Sequence, residues 1–195
     1  MNEIPLFPLN TVLFPGSPLP LRIFEPRYLD MVGEALRNSS GFGVSLIRAG
    51  QEVGQAADIH AVGTLAQITD FEQLPNKMLG ILVMGQQRFR VLRTWVKANQ
   101  LLMGEVEWID NEAPQPMPDA CRPLADMLRT FIVRLGAPYQ QLAADYSDAS
   151  WVSQRLTELL PIPLLERQRL LESNDPLERL ARVQATLQRL EIFVA

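Results

Sequence analysis

The sequence predicts an α+β protein, with a small, closed or half-closed β-barrel and one short helix over residues 1–112, then a helical bundle over 118–195. Three observations carry this. Short apolar runs bounded by glycine recur from Gly41 to Ile109, the spacing of strands in a small barrel. A polar, proline-rich stretch, Asn111–Pro118, follows and reads as a stiff, extended connection where the internal boundary falls. Beyond it, apolar residues recur at intervals of three and four, the period of amphipathic helices.

Residues Ile4–Leu21 carry prolines at positions 5, 8, 15, 18 and 20. Without an N–H, proline neither continues a helix nor donates within a central ladder, so the segment reads as extended edge pieces with the sharpest bend at Pro15-Gly16. Glu25-Pro26 starts a helix with Pro at its first position and Leu29, Val32 and Leu36 on one face. Five strand runs follow: Gly43–Ile47, Gly63–Phe71, Met78–Met84, Phe89–Trp95 and Met103–Ile109. In the last, Glu105 and Glu107 alternate with Val106 and Trp108, one wet face and one dry. Met78–Met84 is apolar throughout and belongs deep in the sheet.

In the back part, Leu124, Met127, Leu128, Phe131, Ile132 and Leu135 mark one helix. Val152, Leu156, Leu159 and Leu160 mark a second, stopped by Pro161. Asp175-Pro176-Leu177-Glu178 opens a third, with Asp as cap and Glu placed to close a capping box.

Composition narrows the function. The chain is 47% hydrophobic and 21% charged, an ordinary globular balance that points neither to disorder nor to a membrane protein. A net charge of −4 repels polyanions as a whole, which makes nucleic acid a minority partner. No basic-then-apolar leader opens the sequence, and no run is long enough to span a bilayer. The single cysteine, Cys121, has no internal disulfide partner, so a cytoplasmic protein without membrane contact is expected.

Catalytic motifs are missing from the sequence. Neither lysine, Lys77 or Lys97, follows a glycine as a phosphate loop requires. One His and one Cys cannot anchor a zinc set. His60 has no nucleophile at a motif spacing and reads as a loop or strand-edge histidine, and Cys121 reads as an inert, partly buried thiol. The expectation is therefore no catalytic residue, no metal and no cofactor. Arg88, Arg90, Arg93 and Lys97 form the one compact basic cluster outside the helices. Read functionally they are nucleic-acid contacts; read structurally, Arg88 sits beside the Phe89-Val91 face and pairs with a carboxylate, for which Glu25 is the candidate.

The run Ile4-Pro5-Leu6-Phe7-Pro8-Leu9-Asn10-Thr11-Val12-Leu13-Phe14-Pro15-Gly16, continued by Leu19-Pro20-Leu21-Arg22-Ile23-Phe24-Glu25-Pro26-Arg27-Tyr28, resembles the start of the Lon protease N-terminal, substrate-binding domain. Gly63-Thr64-Leu65-Ala66-Gln67-Ile68 and Gly85-Gln86-Gln87-Arg88-Phe89-Arg90-Val91 are similar to two further motifs of that family, in the same order. The resemblance implies a PUA-like pseudobarrel followed by a helical bundle. It also implies a non-catalytic role in binding unfolded or tagged polypeptides, with a protease or chaperone as a further partner. With no Walker motif or Ser-Lys protease domain in these residues, a stand-alone member of the family is expected. Phe14, Leu19, Leu21 and Tyr28 are the candidate peptide contacts, with Arg27 as polar anchor, although ordinary core competes as the reading of each. RNA binding through Arg88, Arg90, Arg93 and Lys97 is the alternative, resting on fold analogy.

Overall fold

Strand β1 (Glu3–Leu9) pairs on both sides: antiparallel with β7 (Leu102–Ile109) through residues 3–6, and parallel with β3 (Phe42–Ala49) through residues 6–9. That double pairing closes a ring of five strands, β1-β7-β6-β5-β3, with β5 at Val62–Gln73 and β6 at Leu79–Val96. The structure, a computed structural model, describes residues 3–75 and 78–191. The edge reading of the first proline segment is thus corrected, because β1 is a stave of the barrel. Its prolines are tolerated since the two pairings are staggered: Pro5 lies in the half that pairs only with β7 and Pro8 in the half that pairs only with β3. Each missing N–H can therefore face an unpaired side.

A second correction concerns β6. The two runs around Gly85-Gln86-Gln87 are one continuous strand of 18 residues. Its first half pairs with β5 and with β2 (Pro18–Ile23), its second half with β5 and β7. Gly85 breaks nothing, since it allows a close backbone approach rather than a turn. A short strand that the sequence did not announce, β4 (Asp58–Ile59), extends β3.

Helix α1 (Pro26–Asn38) begins at the expected proline. It buries Tyr28, Met31, Val32 and Ala35, while Leu36, expected on the same stripe, is exposed. Phe7 stacks on Tyr28 (centroids 4.1 Å apart) and meets Phe42 at 5.9 Å, so α1 seals a core that includes Ile23, Val44, Ile81 and Val83.

The chain divides into two compact units, Met1–Asn111 and Glu112–Ala195. The second holds α2 (Arg122–Leu135), α3 (Ala149–Leu159), α4 (Leu164–Glu172) and α5 (Pro176–Arg189). Helix α4 went unread because its leucines make only a short, weakly one-sided pattern between Pro161 and Asp175. In α5, Asp175 accepts the Leu177 and Glu178 N–H groups. Glu178, however, pairs with Arg182 at 2.8 Å, and the Asp175 N–H goes to Ser173 Oγ, so the expected capping box is half made.

Helix α3 is buried on most of its circumference, as a central bundle helix is, and it carries Ser153 and Arg155 into the interior. Arg179 of α5 is 1% exposed. Its Nε donates to Ser153 Oγ (2.9 Å), its Nη1 to the Leu170 and Ser173 carbonyls (3.2 and 3.1 Å), and its Nη2 to the Glu112 carboxylate.

Candidate functional site

Part of the barrel's exposed apolar surface lies on both sides of β2, while Leu92 and Val96 are exposed farther along β6. Among the described residues β2 pairs with β6 alone, which leaves its other edge without a strand partner. In register, Leu21 faces Ile81, which faces Phe71 on β5, while Arg22 faces Gly80, which faces Glu72. Because Gly80 has no side chain, the sheet surface dips between Arg22 and Glu72, and Glu72 leans over the gap: a Cβ at position 80 would lie 3.1 Å from its Cγ. The result is an open cleft of about 580 Å³ lined by Pro20, Leu21, Arg22, Asp70, Phe71, Glu72, Leu74 and Leu82.

A smaller pocket, about 170 Å³, lies against Pro20–Glu25, with Phe7, Leu9, Tyr28, Glu52 and Val53 as its other lining. The loop bearing Glu52 and Val53 is tied to the barrel by a bond from the Asn10 N–H to Glu52 Oε1 (2.6 Å). Cleft and pocket share Pro20, Leu21 and Arg22. Three large apolar side chains stand in water around them: Phe24 at 54%, Val53 at 55% and Phe71 at 59% exposure.

The candidate contacts fare unequally. Phe14 is buried in the core and offers a ligand no surface. Tyr28 is buried too, under the Arg27 guanidinium, which lies 4.5 Å from its ring centroid. Arg27 is itself buried and committed, with Nη1 donating to the Gln100 carbonyl and Nη2 paired with Glu25, both at 3.0 Å. Leu19 and Leu21 are half-buried on β2, and of the five only Leu21 and Tyr28 line the pocket. Phe24, Val53 and Phe71 were missed because period and composition do not reveal exposure. The available signal was Asp70-Phe71-Glu72, an aromatic between two acids at the end of a strand run.

Burial pushes the Tyr28 phenol up to about 12; the neighbouring Arg27 charge opposes this, and the Glu25 and Glu52 carboxylates add to it. Below the ordinary phenol pKa near 10 the side chain is neutral whether the chain is folded or not. Between about pH 10 and 12 the unfolded chain gives up this proton while the folded barrel keeps it, so stability falls as pH rises. The urea midpoint is expected to drop from pH 10 upward, and Tyr28→Phe to remove that part of the slope.

The basic cluster does not form one surface. Arg88 is 2% exposed, while Arg90, Arg93 and Lys97 lie outside. Glu25, expected opposite Arg88, is ion-paired with Arg27. Strand β7 answers the exposed arginines: Arg93 pairs with Glu105 at 3.3 Å, and Arg90 stands across from Glu107. A bulge between Val91 and Arg93 resets the register so that both acids meet arginine. The charge is balanced strand to strand, and a continuous basic stripe for RNA is not favoured.

His60 is half-buried at the end of β4, its backbone N–H donating to the Leu46 carbonyl at 2.9 Å. Cys121 is a free thiol at the start of α2. Among the described residues, no group of three or more His, Cys, Asp or Glu could hold a metal ion, and no helix is long and apolar enough to cross a membrane.

The fold of the first unit is a closed barrel carrying an apolar, partly charged groove beside a strand edge. The model of the ATP-dependent protease La (LON) substrate-binding domain matches residues 3–189, and the chain belongs to that family. A Lon N-terminal domain protein from Xanthomonas campestris superposes with a TM-score of 0.77 at 36% identity, over 95% of this chain and 98% of that one. The N-terminal domain of a Mycobacterium avium complex Lon protease shares the fold at 15% identity and a TM-score of 0.61, over 93% and 95% of the two chains.

Lon protease of Anaeromyxobacter dehalogenans is 25% identical over 95% of this chain and 23% of its own length, and Lon protease 2 of Herpetosiphon aurantiacus 27% identical over 96% and 24%. The chain spans about a quarter of the length of these curated relatives. What the chain matches is the substrate-binding domain of that protease family, over residues 3–189.

Proposed function

We propose that this module recognises polypeptides and holds extended, apolar segments of unfolded or tagged proteins in the groove along β2, in the cytoplasm, for a protease or chaperone. The observation that carries the reading is the exposure of Phe24, Val53 and Phe71 around two depressions that share Pro20-Leu21-Arg22. Clustered apolar side chains of this size are costly to leave in water and mark interaction surfaces. Family membership supports the same reading.

Titration with a reduced, carboxymethylated lactalbumin, which cannot refold, tests it. Binding is expected in the micromolar range or tighter, and absence of binding at tens of micromolar overturns the proposal. Covering one such ring fully contributes roughly 1.5–3 kcal/mol, and each 1.4 kcal/mol is about tenfold in affinity. Phe24→Ser and Phe71→Ser are therefore each expected to weaken binding about tenfold or more with the fold intact, since both side chains are solvent-exposed. Arg90→Glu, away from the groove, is expected to leave binding within about twofold of the parent.

A further inference from the structure

The ladder between β2 and β6 determines which backbone groups remain on the open edge. Gly85 N–H donates to the Ser17 carbonyl (2.9 Å) and Gly16 N–H to the Gly85 carbonyl (2.8 Å). From there the register runs Leu19–Val83, Leu21–Ile81 and Ile23–Leu79. Antiparallel pairs alternate between bonded and non-bonded. Leu19, Leu21 and Ile23 therefore bond to β6, while Pro18, Pro20 and Arg22 turn their backbone groups away from it. The prolines fit this parity, because their missing N–H groups fall on the side where β6 needs none.

Pro18 is buried, whereas Pro20 and Arg22 are exposed. The open edge thus presents two carbonyls, at Pro20 and Arg22, and a single donor, the Arg22 N–H. Among the described residues, no side chain and no backbone group outside the strand ladders is seen to bond to any of the three. We infer that this edge binds an extended segment of another polypeptide by accepting two of its backbone N–H groups, two residues apart, on the Pro20 and Arg22 carbonyls. The inference rests on the groove reading and specifies its ligand. The client segment is apolar, extended and free of proline at two alternate positions, with a side chain near the 170 Å³ pocket.

A second copy of this chain is a poorer occupant. When two β2 edges meet about Leu21, Pro20 faces Arg22 in each pair, and only the Arg22 N–H of each pair finds an acceptor. Two of four possible bonds form. An ordinary extended segment in the same place forms three, failing only where Pro20 has no N–H to give. Proline at an open edge is a recognised device against strand-to-strand aggregation. Here it biases the edge toward foreign, donor-bearing chains.

The test uses ten-residue segments tiled across the lactalbumin sequence. The strongest binder is resynthesised with a single N-methyl group at each position in turn and measured against the full chain by fluorescence anisotropy. Two positions, two residues apart, are expected to lose tenfold or more, while the residue between them changes less than twofold. A photoreactive side chain at that intermediate position is expected to cross-link within Pro18–Glu25 or to Val53. If every N-methyl peptide binds within twofold of the parent, or the cross-link maps elsewhere, the edge mode is overturned and the groove reading survives. If neither the unmodified segments nor the whole unfolded protein bind, the groove reading itself fails.

Discussion

Glu112→Ala is expected to lower the unfolding free energy by about 3–5 kcal/mol, because it strands a buried guanidinium. Arg179 is 1% exposed and the Glu112 side chain 5%. The other donors of Arg179 reach neutral acceptors, the Ser153 hydroxyl and two main-chain carbonyls. Those bonds solvate the cation without neutralising it. The Glu112 carboxylate also accepts from Ser150 Oγ at 2.5 Å, so its removal leaves a second polar group short of a partner.

The double variant Glu112→Leu/Arg179→Met separates the value of the pair from the cost of breaking it. Removing both charges together is expected to cost far less than removing either, since two desolvation penalties vanish along with one attraction. Urea midpoints followed by circular dichroism at the helical band, with unchanged slope, provide the check. Equal losses for the single and double variants would contradict the account.

Glu112 also shows where sequence reading stops. It lies in a polar, proline-rich stretch that local composition describes as a connection, and its partner is 67 residues away. No local pattern reports such a pairing. Signals written into a few consecutive residues were legible: Pro26 at the first position of α1, Asp175-Pro176 opening α5, and the acidic face of Glu105 and Glu107 on β7. Signals that depend on what the backbone later meets were not. Pro5 and Pro8 read as edge residues because one strand pairing with two partners over two different halves leaves no trace in composition. Phe14, Arg27 and Tyr28 could be read as contacts or as core, because a proline-rich apolar segment looks the same whether it lies outside a barrel or closes it. Of the residues lining the groove, Leu21 was among the sequence's candidates, whereas Phe71 comes from β5 and Val53 from a loop with no periodic pattern.

Gly85→Ala is expected to destabilise the barrel by about 1–3 kcal/mol and to weaken polypeptide binding in parallel. A Cβ at position 85 would fall well inside contact distance of the Phe14 carbonyl oxygen and 3.2 Å from Leu13 Cγ. The obstacle is backbone, which cannot rotate aside as a flexible side chain can. That backbone is held on both sides, since Ser17 N–H donates to the same Phe14 carbonyl at 3.1 Å while Gly85 bonds to Gly16 and Ser17. The turn can yield only by giving up those bonds, and they set the register in which β2 begins. A displaced β2 carries Leu21, Pro20 and Arg22 out of line with Phe71 and the pocket. Gly33→Ala in α1 is the matched control. Its Cβ meets nothing nearer than the tip of Arg37 at 3.5 Å, and in a helix interior alanine is favoured over glycine by roughly 0.5–1 kcal/mol. One methyl group added at each of two glycines is therefore expected to move the urea midpoint in opposite directions. If Gly85→Ala were as well tolerated as Gly33→Ala, the turn before β2 would have slack, and the alignment of the groove would have to be fixed by something other than this contact.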